Sequence, residues 1–256
     1  MSIHETVIPL YKPLGKTPLE TINALRNSDP VFSHSAMSYA GRLDPMADGL
    51  LLALSGDALS KQEALSNLDK SYDAVVLFGI STDSDDLLGM PARDGHSLPA
   101  ESRMREALQS FAGVCTLPVP VYASVRVQGK PLYWWARNKK LDDITIPSRT
   151  TRINAIDAVA VGSTSFQSVL ARVREAVPLV SGDFRQTEII QAWQALAEPR
   201  EALATVSFSV SCTSGTYIRS LARELGNALG SRALLYSLTR TSIGQYSLEN
   251  ARRAIH

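Results

Sequence analysis

The sequence predicts an α+β, or mixed α/β, fold, and two kinds of pattern support this prediction. Several short segments alternate apolar and polar residues with the period of a strand, while others repeat apolar residues at the spacing of an amphipathic helix. The two kinds are mixed along the chain without strict alternation, which is typical of this fold class. With 256 residues, 45% of them hydrophobic, the chain can form one large domain or two small ones.

The first helix is predicted over residues 17–28, "TPLETINALRNS". Thr17 is suited to the N-cap position, a proline follows at the first helical position, and Glu20 completes a capping box. The apolar residues expected on the buried side are Leu19, Ile22 and Leu25. The next element is a strand over residues 71–80, "SYDAVVLFGI", half-buried at first and then fully buried.

The middle of the chain predicts two helices around one strand. Residues 98–113, "LPAESRMREALQSFAG", and residues 183–196, "DFRQTEIIQAWQAL", have helical spacing. Between them, residues 121–128, "VYASVRVQ", alternate as a strand does.

The last predicted elements are a strand and a helix in direct succession. Residues 204–212, "ATVSFSVSC", place Val206, Phe208 and Val210 on one face and give the strongest strand signal. Residues 215–230, "GTYIRSLARELGNALG", form a helix that Gly230 should end. Its apolar stripe is Ile218, Leu221, Leu225 and Leu229.

Composition narrows the classes of function. The formal net charge is +1, so any basic surface that meets nucleic acid must be local. Cys115 and Cys212 are far apart and have no nearby histidine pair, so we expect neither a disulfide framework nor a metal site. The N-terminus lacks the pattern of a signal peptide, and the longest apolar run, residues 50–54, is too short to span a membrane. We therefore expect a cytoplasmic protein that is not in a membrane.

Residues 129–152 are locally basic and aromatic. The aromatic residues are Tyr133, Trp134 and Trp135, and the cations are Lys130, Arg137, Lys139, Lys140, Arg149 and Arg152. This mixture suits a surface that meets phosphates and stacked bases. A solvated helix and loop with its rings turned into the core would have the same composition, so both interpretations stay open.

The run "GRLDPMADG", residues 41–49, places the carboxylate of Asp44 on a tight turn. Pro45 restricts Asp44 to extended backbone, and the flanking glycines permit turns on both sides. Aspartate before proline is also an ordinary helix start with the aspartate as N-cap. These residues alone leave Asp44 as a helix cap or a reactive group.

The run "TSGTYIRSLARELG" carries Arg219 in the first turn of its helix. The helix dipole is positive there, so we expect an anion near Arg219, either a phosphate or a carboxylate. An arginine exposed to water is the alternative.

Two other polar features have ordinary interpretations. Tyr72 begins a strand and is expected at the edge of the core with its hydroxyl in water. The acidic run 81–89, "STDSDDLLG", suggests calcium but lacks the closing glutamate of a calcium loop. Hydrogen bonds from its side chains to the backbone are the preferred interpretation.

The order and spacing of these runs resemble the TruB-type tRNA pseudouridine synthases, which convert the T-loop uridine at position 55 to pseudouridine. The matching runs extend from about residue 12 to residue 251: "KPLGKTPLETINALR", "GRLDPMADGLLLALSGDALSK", "KSYDAVVLFGISTDSDDLLG", "PVPVYASVRVQGKPLYWWAR", "SCTSGTYIRSLARELGNALG" and "LTRTSIGQYSLENA". The resemblance implies a central, mostly antiparallel mixed sheet flanked by helices, with an RNA-gripping insertion at about residues 122–152.

For catalysis, the resemblance implies three residues. Asp44 falls on the family's nucleophilic aspartate, and Arg219 falls on the arginine that pairs with it and keeps it ionised. Tyr72 falls on the tyrosine that stacks on the flipped target base and takes part in proton transfer. The isomerisation needs no cofactor and no metal.

For RNA binding, the resemblance implies a larger set: Lys12, Tyr39, Arg42, Tyr217, Lys130, Tyr133 and Arg137. Tyr39 stands where relatives typically have histidine, and Arg42 stands where they have threonine. Tyr39 keeps an aromatic face without the protonation of imidazole, so we expect activity with altered RNA contacts. The insertion favours the RNA-binding interpretation of residues 129–152.

The implied protein is one catalytic domain, residues 1–256, that acts as a monomer on the T arm of tRNA without a protein partner. The chain ends at His256, so either the protein has no separate PUA module or the sequence was cut before it, and in both cases we expect weaker contact with the acceptor arm. The basic residues expected to compensate in part are Arg240, Arg252 and Arg253.

Three alternatives remain. The protein could be a tRNA-folding chaperone that binds the T arm without needing chemistry. It could instead isomerise uridine in another RNA stem-loop, or be the catalytic subunit of a guide-RNA particle, although the short chain argues against the particle. Only the enzyme readings need both Asp44 and Arg219.

Overall fold

The structure is a computed structural model that describes residues 6–93, 99–196 and 202–253. Its strands are β1 (Thr6–Lys12), β2 (Met37–Ala40), β3 (Asp48–Ser55), β4 (Lys70–Phe78), β5 (Ser81–Thr82), β6 (Pro91–Ala92), β7 (Gly113–Pro118), β8 (Arg126–Val127), β9 (Lys130–Pro131), β10 (Ser148–Thr164), β11 (Leu203–Cys212), β12 (Ala233–Ile243) and β13 (Tyr246–Ser247). Its α-helices are α1 (Pro18–Ser28), α2 (Gln62–Ser66), α3 (Glu101–Gln109), α4 (Leu132–Arg137), α5 (Phe166–Ala176), α6 (Gln186–Ala195) and α7 (Ile218–Ala228). The 3₁₀ turns are Gly56–Lys61, Leu141–Asp143, Val177–Leu179 and Leu248–Asn250.

A nine-stranded mixed sheet forms the centre of the described chain. Its order is β1-β3-β12-β4-β11-β10-β7, with β2 paired to β3 and β13 paired to β12. Within this sheet β3 and β12 run parallel, and the other neighbours are antiparallel. Helix α7 packs against β12 and β4, and α3 packs against β10. The prediction of a mostly antiparallel mixed sheet flanked by helices is confirmed.

The strands that pass through the centre of the sheet follow their sequence patterns. Strand β4 alternates in burial over its first half and is then continuously buried, as predicted. Strand β11 buries Val206, Phe208 and Val210 on one face, also as predicted. The two strands are neighbours in the interior of the sheet, where β4 lies between β12 and β11.

Helices α1 and α7 confirm most of the predicted detail. Thr17 Oγ1 accepts a hydrogen bond from the Glu20 amide at 3.2 Å, and the Glu20 carboxylate accepts one from the Thr17 amide at 2.8 Å, which completes the capping box. Leu19 was placed wrongly, since it is 59% exposed. At about 100° per residue it lies beside the buried stripe, which consists of Pro18, Thr21, Ile22 and Leu25. Gly230 adopts a left-handed conformation just after α7, as expected.

The predicted strand over residues 121–128 is wrong. Within it the structure has strand only at β8, which forms a short hairpin with β9. The carbonyls of Ala123 and Val125 instead accept hydrogen bonds from the Tyr133 and Leu132 amides at 3.1 and 2.7 Å. The segment therefore supports the start of α4 rather than a neighbouring strand.

The two predicted helices of the middle region are shorter than expected. Helix α3 begins at Glu101, and Leu98, where the helix was predicted to start, lies outside the described residues. Helix α6 begins at Gln186 rather than at Asp183, because Arg185 has a left-handed conformation with a φ of 62°. In the described ranges, no helix combines the length and apolarity needed to cross a bilayer.

Candidate active site

Asp44 lies on a turn between β2 and β3 and does not cap a helix. Its carbonyl accepts a hydrogen bond from the Ala47 amide at 3.1 Å, and the chain then enters β3 directly. The Pro45 carbonyl accepts a hydrogen bond from the Gly15 amide at 2.8 Å, which joins this turn to the loop after β1. The helix-cap interpretation is therefore wrong, and the Asp44 side chain is left 42% exposed.

Arg240 on β12 fixes the backbone ahead of Asp44. Its guanidinium is completely buried and donates to the carbonyls of Leu50, Arg42 and Gly41 at 2.7, 2.9 and 3.2 Å. Burial lowers the pKa of Arg240, while the nearby Tyr72 and Asp44 act to raise it. The expectation that Arg240 belongs to an RNA-binding surface cluster is wrong, because its charge is used inside the protein.

A sequence signal for this role does exist. Arg240 is in phase with Leu238 on the inward side of β12, so the strand period places it in the interior. A buried arginine must find several acceptors, and backbone carbonyls of the Asp44 turn and of β3 supply them.

Arg219 meets Asp44 as the sequence predicts. Its Nη2 lies 2.8 Å from Asp44 Oδ2, and its side chain is only 4% exposed. Its Nη1 donates to the Ser84 carbonyl at 2.9 Å. Burial lowers the pKa of Arg219, but the carboxylates around it outweigh burial and raise it, so the guanidinium stays charged. The anion near Arg219 is therefore a carboxylate of the protein, and the alternative of an arginine exposed to water is wrong.

Asp86 is a member of the site that sequence reasoning missed. Its Oδ2 lies 3.7 Å from Arg219 Nε, which is buried and has no hydrogen-bond partner within the described chain. Its Oδ1 accepts hydrogen bonds from Ser84 Oγ at 2.8 Å and from the Leu88 amide at 2.9 Å. Burial raises the pKa of Asp86 to about 6, against the opposing pull of Arg219.

The rest of the acidic run confirms the predicted hydrogen bonds between its side chains and the backbone. Asp83 Oδ1 accepts a hydrogen bond from the Met90 amide at 2.8 Å, and Asp85 pairs with Arg223 at 2.6 Å. These carboxylates are bound to amides and arginines. The run therefore supplies the wall behind Arg219.

Tyr72 lies beside Asp44 in an open cavity of about 540 Å³. The ring is 7% exposed, and burial raises the pKa of its hydroxyl to about 12, against the opposing effect of Arg240. The phenol is therefore neutral near pH 7, and it can stack or donate a proton but cannot accept one as a phenolate. The hydroxyl was expected in water, yet it lies against the buried Arg240.

The structure brings most of the predicted substrate-binding residues to this cavity. Its walls include these members of the predicted set: Tyr39, Arg42, Tyr133 and Tyr217. Arg137 lines an adjoining smaller cavity and pairs with Asp183 at 3.0 Å. The Nζ of Lys130 lies outside both cavities, 3.6 Å from the ring centre of Trp134.

Lys12 is not on the surface of the cavity. It is completely buried, and its Nζ donates to the carbonyls of Pro13 and Lys16 at 3.0 and 2.7 Å. Burial lowers its pKa to about 7, while Asp44 acts to raise it. Lys12 is therefore buried within electrostatic range of Asp44, and the prediction that it contacts the substrate directly is wrong.

The two interpretations of the basic, aromatic segment each hold for different rings. Trp135 is 8% exposed and donates from Nε1 to the Val127 carbonyl at 3.1 Å, as a core residue does. Tyr133 is 43% exposed and lines the cavity that contains Asp44. One face of α4 thus builds a small core, and the neighbouring face is open to a ligand.

Known proteins match this chain in sequence and in fold. Residues 30–176 match the family described as "TruB family pseudouridylate synthase (N terminal domain)". The chain is 33% identical over 248 residues to tRNA pseudouridine synthase B of Bordetella avium, covering 96% of the chain and 83% of that protein. It is 31% identical over 245 residues to the protein of the same name from Syntrophus aciditrophicus, covering 96% of the chain and 64% of that protein.

Solved structures share the fold. A chain in the crystal structure of a Cbf5–Nop10–Gar1 complex superimposes with a TM-score of 0.59 at 21% identity, covering 96% of this chain and 51% of that one. The family match and these relatives identify the chain as a pseudouridine synthase, an isomerase by class. Within that class, the chain belongs to the TruB family.

Proposed function

We propose that this protein isomerises uridine to pseudouridine at position 55, in the T loop of tRNA, with Asp44 as the nucleophile. The single observation that carries the proposal is the Asp44 carboxylate, which pairs with a buried Arg219 at 2.8 Å and is still 42% exposed beside Tyr72. The relatives named tRNA pseudouridine synthase B support tRNA as the substrate.

The proposed reaction exchanges one bond to the sugar for another. The N1–C1′ bond breaks, the base rotates, and C5 bonds to C1′, while C5 loses its proton and N1 gains one. Asp44 can attack C6 of the base or C1′ of the sugar, and the same geometry serves either route. Arg219 Nη2 lies 2.8 Å from Asp44 Oδ2, which leaves Oδ1 as the oxygen that we propose makes the attack.

The target base must leave the folded loop to reach Asp44. A cavity of about 540 Å³ has room for one flipped nucleotide, and Tyr72 and Tyr39 offer aromatic faces to it. We propose that the protein acts in the cytoplasm as a monomer without a protein partner. The chaperone alternative needs the same RNA surface but gives no role to an exposed carboxylate that pairs with a buried guanidinium.

The test is tritium release from unmodified tRNA that carries 5-³H-uridine. Bonding through C5 expels that hydrogen, so release reports the chemistry directly. We expect release by the wild type and none by Asp44→Asn, with tRNA binding by the variant within a few-fold. Release by Asp44→Asn at the normal rate would refute the nucleophile, and no release by either protein would favour the chaperone or another RNA.

A further inference from the structure

The connection between β10 and β11 is much longer than the sheet requires. The two strands are antiparallel neighbours whose ends pair directly, Thr164 with Leu203. Such a hairpin needs only about 2–5 residues to turn. Residues 165–202 instead contain α5, the 3₁₀ turn Val177–Leu179 and α6. The helices of this connection are therefore an addition that the pairing of β10 with β11 does not need.

The α5–α6 loop, residues 180–185, reaches the active site. Arg137 of α4 donates to the Asp183 carbonyl at 2.9 Å and pairs with its carboxylate at 3.0 Å. Arg185 Nη1 lies 2.7 Å from Asp83 Oδ2 in the acidic loop. The connection is thereby attached to both walls of the cleft around Asp44.

One side chain holds this loop in a single shape. Gln186 Oε1 accepts a hydrogen bond from the Phe184 amide at 3.0 Å, and its Nε2 donates to the carbonyls of Val180 and Gly182, both at 2.8 Å. Arg185 has a left-handed backbone conformation with a φ of 62°, which residues other than glycine rarely adopt. The loop is thus preorganised, with Phe184 and Arg185 directed at the cleft.

These two residues line a second cavity of about 200 Å³, which meets the first at Asp44. Its walls combine cations with aromatic rings and also include two carboxylates. The cations are Arg137, Arg185 and Arg219, the rings are those of Tyr122, Tyr133 and Phe184, and the carboxylates are Asp44 and Asp86. The Arg185 guanidinium lies 4.8 Å from the ring centre of Tyr122. Rings that stack on a base, beside guanidinium groups that bind phosphate, are the chemistry of single-stranded RNA recognition.

We propose that the second cavity binds the nucleotide adjacent to the target, with Phe184 against its base and Arg185 on its phosphate. The proposal rests on the proposed function, since the first cavity then holds the target nucleotide. The Arg185 and Asp83 side chains are 28% and 33% exposed, so a phosphate can reach the guanidinium at the mouth of the cavity. The α5–α6 loop therefore adds a substrate-positioning surface to the catalytic sheet.

The test compares Arg185→Gln with Arg174→Gln. Arg174 is exposed on α5 in the same connection and lines neither cavity, so it is a matched loss of charge. Binding of an unmodified T-arm hairpin RNA is measured over a range of salt concentrations. We expect Arg185→Gln to reduce the slope of log K against log salt by about 0.7–0.9, the value for one phosphate contact. Arg174→Gln should leave the slope unchanged, and equal slopes in the two variants would overturn the proposal.

A neutral methylphosphonate at each linkage beside the target locates the phosphate. At one linkage it should weaken binding by the wild type several-fold and have no further effect on Arg185→Gln. An effect of equal size in both proteins at every linkage would contradict the contact.

Asp83→Asn separates recognition from a structural role. Both variants remove the Arg185–Asp83 ion pair, but only Arg185→Gln removes the phosphate ligand. We expect Asp83→Asn to keep or raise RNA affinity, while equal losses of affinity in the two variants would reduce Arg185 to a structural role.

Failure of the proposed function can be distinguished from failure of the subsite. If the wild type binds RNA but forms no pseudouridine, the proposed function fails, while the salt dependence of binding by the variants still tests the subsite. A wild type that binds no RNA would overturn both.

Discussion

Replacing Arg240 by methionine should destabilise the fold and misplace the nucleophile at the same time. The guanidinium has 0% exposure and donates to the carbonyls of Leu50, Arg42 and Gly41, two of which lie in the turn that carries Asp44. Each hydrogen bond to a charged group contributes about 1.5–3 kcal/mol, but three from one group are not additive. The variant leaves three carbonyls without their donor at about 1–3 kcal/mol each, so with incomplete additivity we expect a total loss of about 3–5 kcal/mol. That is a large fraction of the ~5–15 kcal/mol that stabilises a domain.

Two measurements check this prediction. At about 2–4 °C per kcal/mol, the midpoint of thermal unfolding by circular dichroism should fall by roughly 6–20 °C. Tritium release at a temperature where the variant is folded should fall by about 100-fold, because a shift of about 1 Å at a reacting group has that cost. Arg240→Lys keeps the charge but loses the planar guanidinium, so its unfolding midpoint and its rate should lie between those of the wild type and Arg240→Met.

Arg252→Met is the matched control. Arg252 pairs with Asp29 at 2.8 Å, but its side chain is 48% exposed, so the cost should stay below about 1 kcal/mol. A midpoint for Arg240→Met as close to the wild type as that of Arg252→Met would refute the structural reasoning. A folded Arg240→Met with the wild-type rate would refute the positioning of Asp44.

Three further predictions follow from contacts at the site. Arg219→Lys keeps the charge but cannot hold Asp44 at 2.8 Å and the Ser84 carbonyl at 2.9 Å together, so kcat should fall by about 10²–10³-fold while the RNA Kd stays within a few-fold. Asp86 has a pKa of about 6, raised by burial from 3.8, so between about pH 4 and 6 the folded state alone holds the proton. The free energy of unfolding of the wild type, relative to Asp86→Asn, should therefore fall as pH rises through that window, and a flat difference in urea titrations would contradict the assignment. Gly49→Ala would place a Cβ 2.4 Å from the Arg240 carbonyl at a φ of 107°, so urea unfolding should show a loss above about 2 kcal/mol, whereas Gly182→Ala, where a Cβ meets nothing within 4 Å, should lose less.

Periodicity predicted those elements whose burial follows their period. Strands β4 and β11 and helix α7 were found because each buries one face of its own pattern. Residues 121–128 alternate as well, but carbonyls of this segment accept hydrogen bonds from the amides at the start of α4. The alternation of apolar and polar residues does not reveal such a contact with a later segment. Leu19 shows the same limit. Helical spacing allows a buried stripe that contains Leu19 or one that contains Thr21, and in the structure the stripe with Thr21 is buried.

The site was predicted in part for a comparable reason. The helix dipole required an anion near Arg219, and the structure supplies the carboxylate of Asp44. Arg240 was missed because charge alone suggests a surface, while its place on the inward side of β12 decides otherwise. The α5–α6 loop could not be found from sequence, since residues 183–185 have helical spacing and reach the cleft only through the pairing of β10 with β11.

The burial of Arg219 and Arg240 gives the two steps of the reaction different sensitivities to ionic strength. Dissolved ions screen charges on the surface, but they screen much less the guanidinium groups of Arg219 and Arg240, which are 4% and 0% exposed. Capture of a polyanionic RNA must therefore weaken as salt rises, while the conversion of RNA already bound should proceed at nearly the same rate. The two buried guanidinium groups thus keep much of their effect on Asp44 at salt concentrations that already weaken the encounter with RNA.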